Sequence, residues 1–239
     1  MMRALPVFIG LLLVSCYHRE KKSIPYKKPA TRFENNTYRK VADIKTPSGF
    51  KRITNKTGSF GEWLRSIPLR PDKKVYLYNR LLKKNQSAQF AVMDISIGQK
   101  DLQQCADAVM RLRGEYLFMQ ERFNEIVFTD NNDKVYRWQG GSNRLLFDQY
   151  LENVFDWCGS ASLEKQLKPS PDVDLIKPGD VFIKGGFPGH AMLVTDVAIN
   201  DKGEKVFLLA QSYMPAQDIH IVKNPMNEKL SPWYVVKNG

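Results

Sequence analysis

Apolar residues follow three different spacings along this chain of 239 residues. An apolar run from Ala4 to Val14, interrupted by Pro6 and Gly10, opens it. The middle has helical spacing. Leu102, Cys105/Ala106, Val109, Leu112 and Tyr116 recur with a 3.6 period and predict a helix over 101–122. Asp101 stands where a cap belongs, with Gln104 three positions on. Leu146, Tyr150, Val154 and Trp157 predict a second helix over 143–157, and Gly159 follows as a stop. Ser59-Phe60-Gly61-Glu62 has capping-box spacing and predicts a short helix carrying Trp63 and Leu64, ended by Pro68 and Pro71.

Elsewhere the pattern is that of strands. Val75–Tyr78 and Phe90–Ile97 are expected strands, and 126–128 with 135–138 read as a hairpin around Asp130-Asn131-Asn132-Asp133. Beyond Pro178, 180–183, 191–199, 206–211, 219–222 and 233–236 alternate between turns marked by Gly, Asp and Pro. Helices precede strands, which predicts an α+β fold, with helices of the N-terminal half packed on an antiparallel sheet from the C-terminal half.

The opening run is too short to span a bilayer as a mature helix and reads as a secretory signal that is removed. Leu13-Val14-Ser15-Cys16 has the form of a bacterial lipobox. Cleavage before Cys16 would leave an N-terminal Cys for acylation, and two or three chains suffice for stable anchoring. The expected organisation is a signal over 1–15, acylated Cys16 with a basic flexible tether over 16–45, and one domain over 46–239. The expected location is a bacterial cell envelope, lipid-anchored to the inner or outer membrane.

The formal charge of +11 first suggests a nucleic-acid partner, but its distribution argues against one. Residues 17–45 hold nine Lys and Arg against three acidic residues, a net +6 next to the expected membrane anchor. There it would attract anionic headgroups or cell-wall polymers, or serve only to solvate a tether. No basic-aromatic pattern for RNA and no Gly-rich phosphate loop appears. The three His, one of them His18 in the tether, and the absence of close Cys/His pairs give no zinc spacing. No cofactor, no metal and no nucleic acid is expected. Cys105 and Cys158 remain after Cys16, and sequence alone leaves their pairing open.

Candidate chemistry lies in three residues. Cys105 sits in the first turns of its helix, where the dipole favours thiolate. His190 follows Pro188-Gly189 and opens a strand, and Gln211 ends the next one. Nucleophile, base and orienting group in that order are what thiol hydrolysis requires. Ser212, Tyr213 and Gly189 would wall a substrate cleft. Asp196 lies too far along its strand to neighbour His190, whereas Asp94 or Asp107 could. His220 reads as structural or rim. Each candidate also has a bland reading: Cys105 as core on an apolar stripe, His190 as a turn residue, and Gln211 as satisfying a strand end.

This layout resembles papain-like cysteine hydrolases of the cell-wall NlpC/P60 kind, in which a Cys at a helix N-terminus faces a His from the adjacent sheet. Gly179-Asp180-Val181-Phe182 before Gly189-His190 is similar to that superfamily's strand pair, but Gln104-Cys105-Ala106 replaces its usual Asp-Cys-Ser. A second resemblance spans about 46–235. Gly58-Ser59-Phe60, Trp63-Leu64-Arg65, Asp101 to Val109, Arg111-Leu112-Arg113, Glu115-Tyr116-Leu117, Gly179 to Ile183, Pro188 to Ala191 and Leu209 to Gln217 resemble the domain-of-unknown-function 4846 proteins. These are secreted lipoproteins found largely in Bacteroidota, and that likeness implies a family without an activity. Two functions stay open. One is a Cys-His amidase or peptidase acting on peptidoglycan or a peptide. The other is a non-catalytic envelope lipoprotein that binds a glycan, peptide or protein partner.

Overall fold

A computed structural model describes residues 35–236. The expected signal over 1–15, the lipidation site Cys16 and the tether as far as residue 34 lie outside the described residues. Nine strands are described: β1 (Phe50–Arg52), β2 (Gln89–Val92), β3 (Val127–Thr129), β4 (Val135–Arg137), β5 (Val181–Lys184), β6 (His190–Asn200), β7 (Lys205–Gln211), β8 (His220–Val222) and β9 (Tyr234–Val235). Four α-helices accompany them: α1 (Phe60–Ser66), α2 (Cys105–Met119), α3 (Arg144–Trp157) and α4 (Ser160–Gln166). The fold is α+β with an antiparallel sheet.

Seven strands form that sheet in the order β1-β6-β7-β8-β2, with β5 also pairing β6 and β9 also pairing β7. β3 and β4 make the expected hairpin, which forms a two-stranded sheet of its own. The sheet is not drawn only from the C-terminal half, because β1 and β2 supply strands from the N-terminal half. Ala191, Leu193, Leu208 and Ala210 face a large core shared with Ala106, Val109, Met110 and Leu112 of α2. Val194, Val197, Phe207 and Leu209 face a smaller cluster that includes Ile176.

The β6–β7 register carries a bulge. Val194 opposes Leu209 and Asp196 opposes Leu208, so Thr195 is the extra residue. The inserted residue moves Asp196 to the face that Leu208 and Ala198 share. Arg52 opposes Ala198 in β1, and its Nε reaches Asp196 at 2.6 Å; Arg65 Nε from α1 reaches the other carboxylate oxygen at 2.6 Å. Asp196 is fully buried, so this double pairing is what makes its charge tolerable there. It ties β1 and α1 to the central strand.

Several elements differ from expectation. Residues 36–45 are part of the domain: Val41 and Ile44 are fully buried, Asn36 Nδ2 donates to the Arg70 carbonyl, and Trp233 Nε1 donates to the Lys45 carbonyl. Two apolar residues three apart were hidden there among charged neighbours. The segment 75–78 makes only isolated bridges, because the Asp218 carboxylate takes the Tyr76 N–H at 2.7 Å in place of a strand partner. Strand β2 stops at Val92, short of the expected Ile97.

Helix α3 begins as expected, with Asn143 Oδ1 accepting the Leu146 N–H at 3.1 Å. Its buried face is Phe147, Leu151, Val154 and Phe155, while Leu146 and Trp157 are exposed. Two apolar stripes of equal period run along this helix, and the one carrying Phe147 and Leu151 took the core. Gly159 ends α3 but also caps α4, a helix that Leu163 and Leu167 seat against the core.

Candidate active site

The local sequence decides where α2 starts. Asp101 does not cap it; its Oδ1 accepts the Ala216 N–H at 2.6 Å. The cap is Gln104, whose own N–H is taken by Asp107 Oδ2 at 2.9 Å, so Cys105 is the first residue of the helix. The thiol therefore sits nearer the positive end of the dipole than the expected helix start implied. His190 opens β6 and Gln211 closes β7. Met192, two on from His190, and Leu209, two before Gln211, lie on the same outer face of the sheet. Period two then brings His190 and Gln211 together, with Nε2 and Oε1 2.9 Å apart.

The amide oxygen of Gln211 can only accept, so Nε2 carries the hydrogen. The remaining ring nitrogen, Nδ1, is buried and makes no formed hydrogen bond. The Cys105 thiol and the His190 imidazole interact closely enough to shift one another. Burial pushes the thiol up, but interaction with His190 and the N–H groups of Ala191 and Ala106 outweigh it, and the thiol lies below its ordinary value. For His190, interaction with Cys105 leads, burial opposes it and Gln211 adds to it, and the imidazole lies above its ordinary value. Opposite shifts of this kind favour the thiolate–imidazolium pair.

Cys105 and His190 line a cleft of about 570 Å³, within the range of small-ligand sites. Tyr213 and Met214 form one rim, both more than half exposed. The Tyr213 ring meets the imidazole edge-on, centroids 5.4 Å apart. Gly189 lines the cleft and leaves no room for a side chain: a Cβ would lie 2.0 Å from Ser160 Oγ and 2.6 Å from the Gly186 carbonyl oxygen. Ser212 is not a wall of the cleft. It is fully buried, with its hydroxyl shared between the backbone carbonyls of Gln103 and Gln217, which its one O–H can reach at 3.0 and 2.7 Å.

Of the candidate carboxylates, Asp107 lines the cleft, Asp94 is exposed away from it, and Asp196 is committed to its two arginines. Burial holds the Asp107 carboxyl well above the usual range, and its Oδ1 has no partner. Both Cys105 and Cys158 are free thiols. Cys158 also borders the cleft, yet burial, then the charges of Asp130 and Asp107, push it up to about 12. His220 is fully buried with Nδ1 on the Asp218 carbonyl, a structural residue. Sequence reasoning missed the far wall: Phe155 because the expected apolar face of α3 was a different one, and Ser160 because α4 went unread, although the spacing of Leu163 and Leu167 was its signal.

Among the described residues no group of three or more His, Cys, Asp or Glu is placed to hold a metal ion, and no helix is long and apolar enough to cross a membrane. No curated protein and no solved structure matches the chain. One family does: that described as "Domain of unknown function (4846)" matches residues 41–239, most of the chain. The protein belongs to the domain-of-unknown-function 4846 family.

Proposed function

We propose that this protein is a lipid-anchored bacterial envelope protein whose domain is a cysteine amidase or peptidase of papain-like, NlpC/P60-like build. The observation that carries the reading is the imidazole of His190. One nitrogen is held by Gln211 and the other is buried without a partner, in the cleft that the Cys105 thiol lines from the head of its helix. A structural histidine has no need of that arrangement.

The chemistry follows from the geometry. Nδ1 of His190 holds the thiol proton, and the Cys105 thiolate attacks an amide carbonyl carbon. N–H groups opening α2 have no partner within the helix and are available to the developing oxyanion. Collapse expels the amine, which takes the proton from His190. Water, deprotonated by the same nitrogen, then releases the acyl group from sulfur. Gln211 fixes the tautomer without adding charge, so its part is orientation. The lipobox ending in Cys16 and the basic residues that follow it support the envelope location.

The test uses the full chain, expressed in a bacterium and fractionated. Membrane fractions are incubated with peptidoglycan fragments and short peptides, and new amino termini are counted by mass spectrometry. Wild type should be membrane-bound and release products. Cys105→Ala should stay on the membrane and release none. Cys16→Ser should appear in the soluble fraction and still hydrolyse. Substrate retention without cleavage by wild type would support the non-catalytic binding protein instead.

A further inference from the structure

A second cleft, of about 390 Å³, adjoins the first at Leu102 and Phe155. The two differ in charge. Asp101, Asp107 and Asp156 line the cysteine cleft, with no Lys or Arg among the described residues there. Lys100, Arg111 and Arg144 line the second, against Asp148 and Glu152. Those two carboxylates are already occupied, Asp148 by Arg144 and Glu152 by Lys100.

Gln103 forms part of this second cleft and is 1% exposed. Its Oε1 accepts a hydrogen bond from Arg111 Nη1 at 3.2 Å, and its Nε2 is buried without a partner. Exchanging the two amide atoms would set an NH2 against the guanidinium, so Arg111 fixes the orientation and the orphan is a donor. Arg111 spends its Nε on Glu115 at 2.7 Å and one N–H on Gln103, which leaves further N–H groups of its five. A buried donor without an acceptor is costly, and a guanidinium fork beside it suits a group with two acceptor oxygens.

We propose that this cleft is a subsite for a carboxylate of the substrate, received by Gln103 Nε2 and the remaining N–H groups of Arg111. Its place in a substrate rests on the hydrolase reading. Arg111 lies six residues along α2 from Cys105, about 9 Å of helix axis. An extended peptide covers that in about three residues. The substrate class is therefore an amide or peptide with a free carboxylate two to three residues from the bond attacked.

Binding can be read without turnover. The full chain carrying Cys16→Ser and Cys105→Ala, labelled with ¹⁵N, is titrated with N-acetyl-trialanine and with its C-terminal amide. The carboxylate peptide should move the Gln103 side-chain NH2 resonances and bind about tenfold or more tightly than the amide. Arg111→Lys keeps the charge beside Glu115 but loses the fork, and should remove most of that preference. Equal affinity for the two peptides, or Gln103 resonances that do not move, would overturn the subsite. Carboxylate preference in a protein that never hydrolyses would leave the subsite standing and remove the hydrolase; turnover without the preference would do the reverse.

Discussion

Two histidines on β6 and β8 shift in opposite directions because their surroundings differ. His190 has a thiol that gains from giving it a proton, and lies above its ordinary value. His220 is fully enclosed, and burial pushes it down to about 4, with Lys83 adding to the effect. Its neutral form is the folded one, while the unfolded chain takes a proton near pH ~6.5. Its contribution to stability is therefore complete above ~6.5 and is lost as pH falls toward 4, by up to about 3 kcal/mol. Asp107 and Asp218, held above their ordinary values chiefly by burial, gain stability over the same fall and oppose it. The difference between wild type and His220→Asn isolates the histidine. Chemical denaturation should show wild type losing ground to the variant between pH ~6.5 and ~4, and parallel curves would contradict the assignment. The sequence already pointed to Cys105, His190 and Gln211 as residue types in a telling order. It could not reveal that Ser212 turns inward, because a hydroxyl suits a cleft wall and a backbone bridge equally well.

At the scale of elements, strong periods were legible and boundaries were not. β6, β7, the β3–β4 hairpin and the cores of α2 and α3 follow from period and caps. The start of α2 was misread because Asp101 and Asp107 can both serve at a helix N-terminus; Ala216 claims the first and leaves the second to Gln104. The segment 36–45 was misread as tether because its charge masks Val41 and Ile44. Removing it exposes the surfaces those two fully buried side chains cover, at about 3–6 kcal/mol together. A chain beginning at Thr46 should therefore melt roughly 10 °C or more below one beginning at Asn35. Equal melting temperatures would show that the segment adds nothing to the fold.

Across the whole molecule, charge is divided by place. The basic residues concentrate in the N-terminal segment, while the cysteine cleft is lined by acids in a chain of formal charge +11. Order along the chain pointed to a possible active site, but only folding shows the two adjoining clefts, since their walls come from segments far apart in sequence. Cys158 provides an internal control: it borders the same cleft yet is held at about 12, so reactivity at neutral pH should belong to Cys105 alone. The central claim is that His190, oriented by Gln211, activates that thiol. The most direct measurement is the rate of Cys105 alkylation by iodoacetamide against pH, resolved by mass spectrometry, in wild type, His190→Ala and Gln211→Ala. Wild type should react well below the free-thiol pKa of ~8.5, His190→Ala should lose that low-pH reactivity, and Gln211→Ala should weaken it, with Cys158 unlabelled throughout. One profile shared by all three proteins, with an apparent pKa near ~8.5 or above, would contradict the account.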